Sequence, residues 1–237
     1  MVLTMARSKI TIDGPSVERS HLPSDGGLAT QAYWAILQGL SDRTVPVGTD
    51  ISQAELMRLL GLTSQPLRDA LRTLASEGLV TIKARSAIRF VKADLELSRS
   101  IYQFRSLIER AGARAFAEQG GLAVIHELLE RHRILLRHIQ DHELGPEEEA
   151  ILAKLEDDFH GALISALRND LIEKATERLR NYLTIVRRER LVTKPLALRT
   201  ISEHIDILEA CETREPDRAE NALSTHLQHA LQRILGM

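Results

Sequence analysis

A chain of 237 residues, 43% hydrophobic but only 3% aromatic, is long enough for one large domain or two modest ones. It has no run of eighteen apolar residues and no basic–apolar–small leader pattern, which sets aside membrane-spanning and secreted readings and leaves a cytoplasmic protein as the expectation. A single cysteine, Cys211, excludes a disulfide framework. The formal net charge of -2 is unevenly spread. Residues 28–92 hold eight Lys/Arg against five Asp/Glu, and residues 93–237 hold twenty against twenty-five. A small basic module joined to a larger acidic one suits a nucleic-acid reader attached to something else.

Residues 1–27, with Gly14, Pro15, Pro23, Gly26 and Gly27 among polar residues, read as a flexible N-terminal arm. Apolar residues at 28, 32, 33, 36, 37 and 40 then recur with a helical rhythm. Pro46 and Gly48 break it. The stretch 51–61 opens at Ser52 with Glu55 three residues later, a capping-box pattern, and closes at Gly61. The third helix begins almost at once, with Thr63 or Ser64 available to cap free amides and Pro66 in the first turn. Gly78 ends it. Short apolar runs at 79–83 and 87–91 flank Arg85-Ser86 and read as a two-stranded hairpin. Three helices and a hairpin, residues 28–92, make a winged helix-turn-helix.

The third helix carries an unusual start for a purely structural element. Side chains at the beginning of a helix in the major groove reach base edges, while its N-terminus and nearby cations meet phosphates. Thr63, Ser64, Gln65, Arg68 and Arg72 are the candidate DNA contacts on that helix, with Lys83 and Arg85 on the wing. Glutamine can pair bidentately with adenine, and arginine with guanine. An ordinary surface helix with solvated arginines is the competing reading.

From residue 93 onward only helical patterning is visible. Segments 95–118, 121–142, 147–168, 170–192, 196–213 and 216–235 suit an antiparallel six-helix bundle, so the fold class is mainly α. Glu156 and His160 are four apart and share one helix face. His204 and His226 lie on apolar-backed stretches of later helices. Three imidazoles and a carboxylate meeting inside a bundle suit a divalent metal, zinc first, with nickel, manganese or iron as other occupants. Against this stands the commoner role of a helical histidine, surface or hydrogen-bonded core. His138 and His142 also have ligand spacing but sit among polar residues at a helix end, and read as surface.

The run "VPVGTDISQAELMRLLGLTSQPLRDALRTLASEGLVTI" resembles the DNA-binding domain of GntR-type bacterial transcription regulators. Gly48, Leu56, Gly61, Pro66, Leu67, Arg68, Ala70, Leu71, Leu74, Glu77, Gly78 and Leu79 match the family pattern. Thr63-Ser64 stands where the family has Ser-Arg, Ala54 where it often has arginine, and the wing lacks the usual glycine. Arg68 is thus the family DNA contact that carries over.

Residues 95–235 resemble the effector domain of the FadR branch, the FCD type, on "YQFRSLIERAGARAFA", "DDFHGALISALRNDLI" and "EHIDILEACETREPDRAENALSTHL". Six helices point to its VanR-like subgroup. The resemblance implies a homodimer that binds a short DNA palindrome and responds to a small organic acid. It also implies metal ligation by His160, His204 and His226, with Glu156 at the family's aspartate position and Asp157 and Asp158 beside it. Arg105 matches an arginine that binds the effector carboxylate, and Asn169 an asparagine near the pocket. Arg105 also has Glu109 at salt-bridge spacing, and Asn169 is placed to cap the next helix. Two rivals remain at this point. One is a metal-dependent enzyme with Asp157 or Asp158 as general base. The other is a metal-free regulator of the same fold, including one that binds a fatty acyl thioester.

Overall fold

The computed structural model describes residues 27–83, 87–92, 94–187 and 192–235. The N-terminal arm, up to residue 26, and Arg85 at the wing tip lie outside the described residues.

The first unit contains α1 (Leu28–Ser41), β1 (Asp50–Ser52), α2 (Gln53–Leu60), α3 (Ser64–Ser76), β2 (Val80–Ile82) and β3 (Ala87–Phe90). Ser52 caps α2 as its position suggests, its Oγ accepting from the Glu55 amide at 3.1 Å. Gly61 ends α2 with φ of 64°, in the left-handed region that glycine enters without steric cost. At the end of α3 the Leu79 amide donates to the Leu74 carbonyl at 2.9 Å, and Gly78 holds φ of 82°. Neither Thr63 nor Ser64 spends its side chain capping α3. The first-turn amides therefore stay open at an exposed helix start. Ile36, Leu40, Leu56, Leu67, Leu71, Leu74, Ile88 and Phe90 fill the core between helices and sheet.

The hairpin expected from sequence is a three-stranded antiparallel sheet in the order β1-β3-β2. The extra strand β1 pairs Asp50 with Arg89 and Ile51 with Ile88. Three residues ending in a helix cap are too short to show a strand period, so only the fold reveals it.

The second unit is the expected six-helix bundle: α4 (Leu95–Gln119), α5 (Leu122–Asp141), α6 (Pro146–Ser165), α7 (Asp170–Arg187), α8 (Lys194–Glu212) and α9 (Pro216–Leu235). Most bounds lie within one or two residues of the sequence reading; the end of α7, expected at 192, is described to Arg187 with 188–191 outside the described residues, and α6 also ends early. α6 stops at Ser165 rather than 168, because a tight turn follows in which Arg168 takes φ of 49°. Glycine at 112 lets α4 and α6 approach closely, since a β-carbon there would run into the Leu163 carbonyl oxygen. No helix among the described residues is long and apolar enough to cross a membrane.

Helix α7 belongs to both units. Ile185 is buried in the core of the winged helix. The Tyr182 hydroxyl donates to the Glu77 carbonyl at 2.8 Å, Tyr33 donates to the Glu77 carboxylate at 2.9 Å, and Asn181 donates to the Tyr33 hydroxyl at 2.8 Å. A β-carbon on residue 78 would sit 2.5 Å from the Tyr182 hydroxyl oxygen, so Gly78 serves the seam as well as the cap.

Candidate metal centre and nucleic-acid interface

On α3, Thr63, Ser64, Gln65, Arg68 and Arg72 are all exposed along the helix start. Asp69 organises two of them. Gln65 Nε2 donates to its carboxylate at 3.0 Å and Arg72 Nη1 at 3.1 Å. Lys83 Nζ and Arg89 Nε reach Asp50 at 3.0 and 2.6 Å, tying the two cations to β1. Arg89 and then Lys83 hold the Asp50 carboxyl below its usual range. Arg68 carries no such internal tether among the described residues.

Inside the bundle, α6 brings His160, α8 brings His204 and α9 brings His226 together. One nitrogen from each lies within 4.8 Å of the others. His204 is fully buried, with its ring stacked on Phe159 at 4.1 Å between centroids. Burial pushes the His160 imidazole down to about 4, with Glu109 opposing the shift and Arg105 adding to it. Burial, followed by the neighbouring His226, His132 and His160, pushes His204 well below the ordinary histidine range. These two rings are therefore neutral at pH 7, the form that ligates metal.

The hydrogen bonds also assign the tautomers. His160 Nδ1 lies 2.9 Å from Glu109 Oε2, and His226 Nδ1 lies 2.8 Å from Glu203 Oε2. Each carboxylate only accepts, so each Nδ1 carries a proton, and the neutral His160 ring keeps its lone pair at Nε2. Burial opposes both carboxylates, but His226, His229 and Arg233 bring Glu203 down to about 2, and Arg105 and His160 hold Glu109 lower still. His204 Nδ1 sits 3.2 Å from His132 Nε2, on a ring whose Nδ1 is 2.7 Å from the Leu128 carbonyl oxygen. His132 must donate to that carbonyl, so it accepts from His204, whose Nε2 also keeps its lone pair.

One ring nitrogen from each of the three histidines thus converges on a common point, Nε2 in the case of His204 and His226. His204 Nε2 and His226 Nε2 stand 3.4 Å apart. Two ligands about 2.0–2.1 Å from a tetrahedral zinc stand about 3.3–3.4 Å apart. The donor set fits a divalent cation. Glu156 Oε1 lies 3.4 Å from His204 Nε2, close enough to add a carboxylate. Asp158 is committed elsewhere, buried against Arg131 Nη2 at 2.6 Å.

Arg105 is buried and paired bidentately with Glu109, Nε to Oε1 at 2.7 Å and Nη2 to Oε2 at 3.1 Å. Its Nη2 is nearly equidistant from both His160 nitrogens, at 3.1 and 3.0 Å, and so lies off either lone-pair axis. A cavity of about 160 Å³ adjoins His226, lined also by Tyr102, Arg105, Glu156, Thr200 and Arg233 among others. A larger cleft of about 600 Å³ runs between α1, the α4–α5 corner, α6 and α7, but the histidines do not line it. The smaller cavity is where the chemistry converges.

Asn169 takes the capping position open to it in the sequence. Its Oδ1 accepts from the Leu171 and Ile172 amides at 3.0 and 3.3 Å, so it caps α7, and it lines neither cavity at the histidines. His138 and His142 stack on each other at 4.3 Å, and His138 pairs with Glu148 at 3.1 Å, away from the triad.

His132, Glu203 and Arg233 were not singled out from the sequence. His132 had a signal: Leu128, Leu129, Leu135 and Ile139 place it on the apolar face of α5. Glu203 had none, since a glutamate beside a histidine reads as a surface residue.

The FCD domain pattern matches residues 100–229 and that of bacterial regulatory proteins of the gntR family matches residues 28–90. The chain belongs to the GntR family and carries an FCD domain. Among curated relatives, the HTH-type transcriptional repressor RspR of Escherichia coli K12 is 26% identical over 203 residues, covering 84% of this chain and 85% of that protein. The Nta operon transcriptional regulator of Aminobacter aminovorans is 23% identical over 188 residues, 79% of this chain and 85% of its own. The repressor NanR of Salmonella newport is 25% identical over 190 residues, 74% and 73% of the two chains. Escherichia coli McbR/YncC shares the fold with a TM-score of 0.72 at 16% identity, covering 89% of this chain and 98% of that one. A GntR regulator from Rhodococcus sp. RHA1 does so with a TM-score of 0.69 at 20% identity, covering 88% and 97%. This GntR protein is a DNA-binding transcriptional regulator, and its families and relatives are regulators rather than enzymes.

Proposed function

We propose that this GntR regulator reads a short palindromic operator as a cytoplasmic homodimer. Its bundle holds a divalent metal beside a pocket for a small carboxylate effector. The observation that carries the metal reading is the pair of Nε2 atoms 3.4 Å apart, with a His160 nitrogen in the same cluster, whose three atoms lie within 4.8 Å of one another. His160, His204 and His226 would be the ligands, with Glu156 the carboxylate, and zinc suits this nitrogen-rich set. When bound, the metal supplies a positive centre that a carboxylate can complete. Arg105 at the cavity wall adds a second cation for the same group. Titration with zinc, followed by elemental analysis, is expected to give one equivalent per chain. A wild-type protein that retains none after loading overturns this reading.

Helix α7 offers a route from the pocket to DNA. Thr176 and Leu179 line a small cavity beside His160, and one or two turns on, Tyr182 and Ile185 pack against the winged helix. An effector that favours one placement of α7 shifts the reading heads accordingly.

On the DNA side, Ser64, Gln65 and Arg68 are the base-reading candidates and Thr63, Arg72, Lys83 and Arg85 the supporting contacts. Arg68→Ala is expected to weaken specific operator binding by about 1–3 kcal/mol, without unfolding, through loss of one bidentate contact. A mobility-shift titration with unchanged affinity would take α3 out of the groove. The dimer has a candidate surface. Leu107 on α4 is 71% exposed, and the half-buried Phe104 and Ile108 extend the same stripe. Sedimentation at micromolar concentration is expected to show a dimer. A monomer that binds the operator tightly would contradict it.

A further inference from the structure

We propose that His132 on α5 is a positioning residue of the metal site: it fixes His204 in the tautomer whose Nε2 lone pair faces His226 and Glu156. The proposal rests on the metal reading above and extends it to a fourth histidine, outside the ligand set. Both rings are fully buried, so no solvent competes for their nitrogens. The chain of bonds starts at a group whose role is fixed. The Leu128 carbonyl can only accept, and at 2.7 Å it fixes the proton on His132 Nδ1. A neutral imidazole has one N–H, so His132 Nε2 is an acceptor. His204 Nδ1, 3.2 Å away, answers as donor. The reverse arrangement would set a lone pair against the Leu128 oxygen at 2.7 Å.

The consequence lies on the other side of the His204 ring. Without an acceptor at Nδ1, the proton would move to Nε2 and point at His226 Nε2 or Glu156 Oε1, each 3.4 Å away. Two ligands would then be hydrogen-bonded to each other and closed to a cation. Glu109 and Glu203 perform the same service for His160 and His226. His204 differs in receiving it from a neutral ring. The charge gathered around the site is therefore smaller than three carboxylates would bring. Loss of such an outer partner commonly costs 10- to 100-fold in metal affinity.

The test uses the full chain and cobalt(II) as the probe, read by its visible absorption, together with nitrogen-15 NMR of the imidazoles in metal-free protein. His132→Phe keeps a ring against Phe159 but removes both hydrogen-bonding atoms. His132→Gln keeps a donor for Leu128 and an acceptor for His204. His132→Phe is expected to bind cobalt about 10- to 100-fold more weakly, with the His204 proton moved to Nε2. His132→Gln is expected to restore binding and the Nδ1–H tautomer. Wild-type affinity or an unchanged His204 tautomer in His132→Phe would overturn the proposal. So would equal weakening in both variants with the tautomer retained, which is the mark of a packing role. If wild-type protein takes up no cobalt, the metal reading falls by itself. The tautomer comparison still decides the role of His132, and an unchanged tautomer sinks it.

Discussion

His204→Ala is expected to abolish metal binding and remove the stabilisation that metal confers, whereas His138→Ala does neither. His204 is the hub of the cluster. Its Nε2 faces His226 Nε2 at 3.4 Å and Glu156 Oε1 at 3.4 Å, and its Nδ1 is held by His132. A ligand that binds only the folded state stabilises it by RT ln(1 + [L]/Kd), about 4 kcal/mol at a thousandfold excess over Kd. That increment should vanish in the variant. The metal-free variant is also weaker than metal-free wild type. Truncating a fully buried ring stacked on Phe159 leaves a cavity, and large-to-small core changes cost about 2–5 kcal/mol. The two contributions separate by melting each protein with and without zinc. His138, half-buried and paired with Glu148, should lose no more than about 1 kcal/mol and keep the full zinc-dependent shift. Equal metal content in His204→Ala, His138→Ala and wild type would make these histidines ordinary bundle residues.

The difference between those histidines was partly legible in the sequence. Helical spacing put Glu156 and His160 on one face, and apolar neighbours put His204 and His226 inward. Polar neighbours put His138 and His142 outside. The helix bounds followed from caps and breakers, which are local chemistry. What local chemistry cannot carry is partnership across elements. Glu109, Glu203 and His132 select the tautomers from other helices than the rings they serve, and nothing in their own neighbourhoods announces it. Strand β1 was hidden for a related reason, because its three residues become a strand only by pairing with β3. The seam at Tyr33, Glu77, Asn181 and Tyr182 joins residues up to 148 positions apart, and no periodicity spans that separation. Asn169 shows the reverse case. Local chemistry, a cap for the next helix, outweighed its family likeness to a pocket residue.

Arg105→Leu is expected to destabilise the fold by about 3–5 kcal/mol, the usual consequence of breaking a buried ion pair from one side. Arg105 is 1% exposed and Glu109 is 5% exposed, so the stranded carboxylate gains little solvation from water. Its remaining partner is the His160 Nδ1–H at 2.9 Å, a single bond in place of three. Removing both partners should cost much less than removing one, because a well-packed apolar pair leaves no buried charge uncompensated. Urea unfolding of Arg105→Leu, Glu109→Leu and the double variant is therefore expected to show strong coupling, with the double variant more stable than either single one. Additive losses would mean that the two side chains do not depend on each other for charge compensation. The double variant also isolates the role of Arg105 at the cavity. With the fold restored and zinc saturating, a loss of affinity for small carboxylates beyond that of Glu109→Leu, on the order of 1.5–3 kcal/mol for a charge-assisted contact, belongs to the missing guanidinium and not to the lost Glu109 acceptor. Unchanged carboxylate affinity there would leave Arg105 as a structural partner of Glu109 and shift the effector contact to the metal and Arg233.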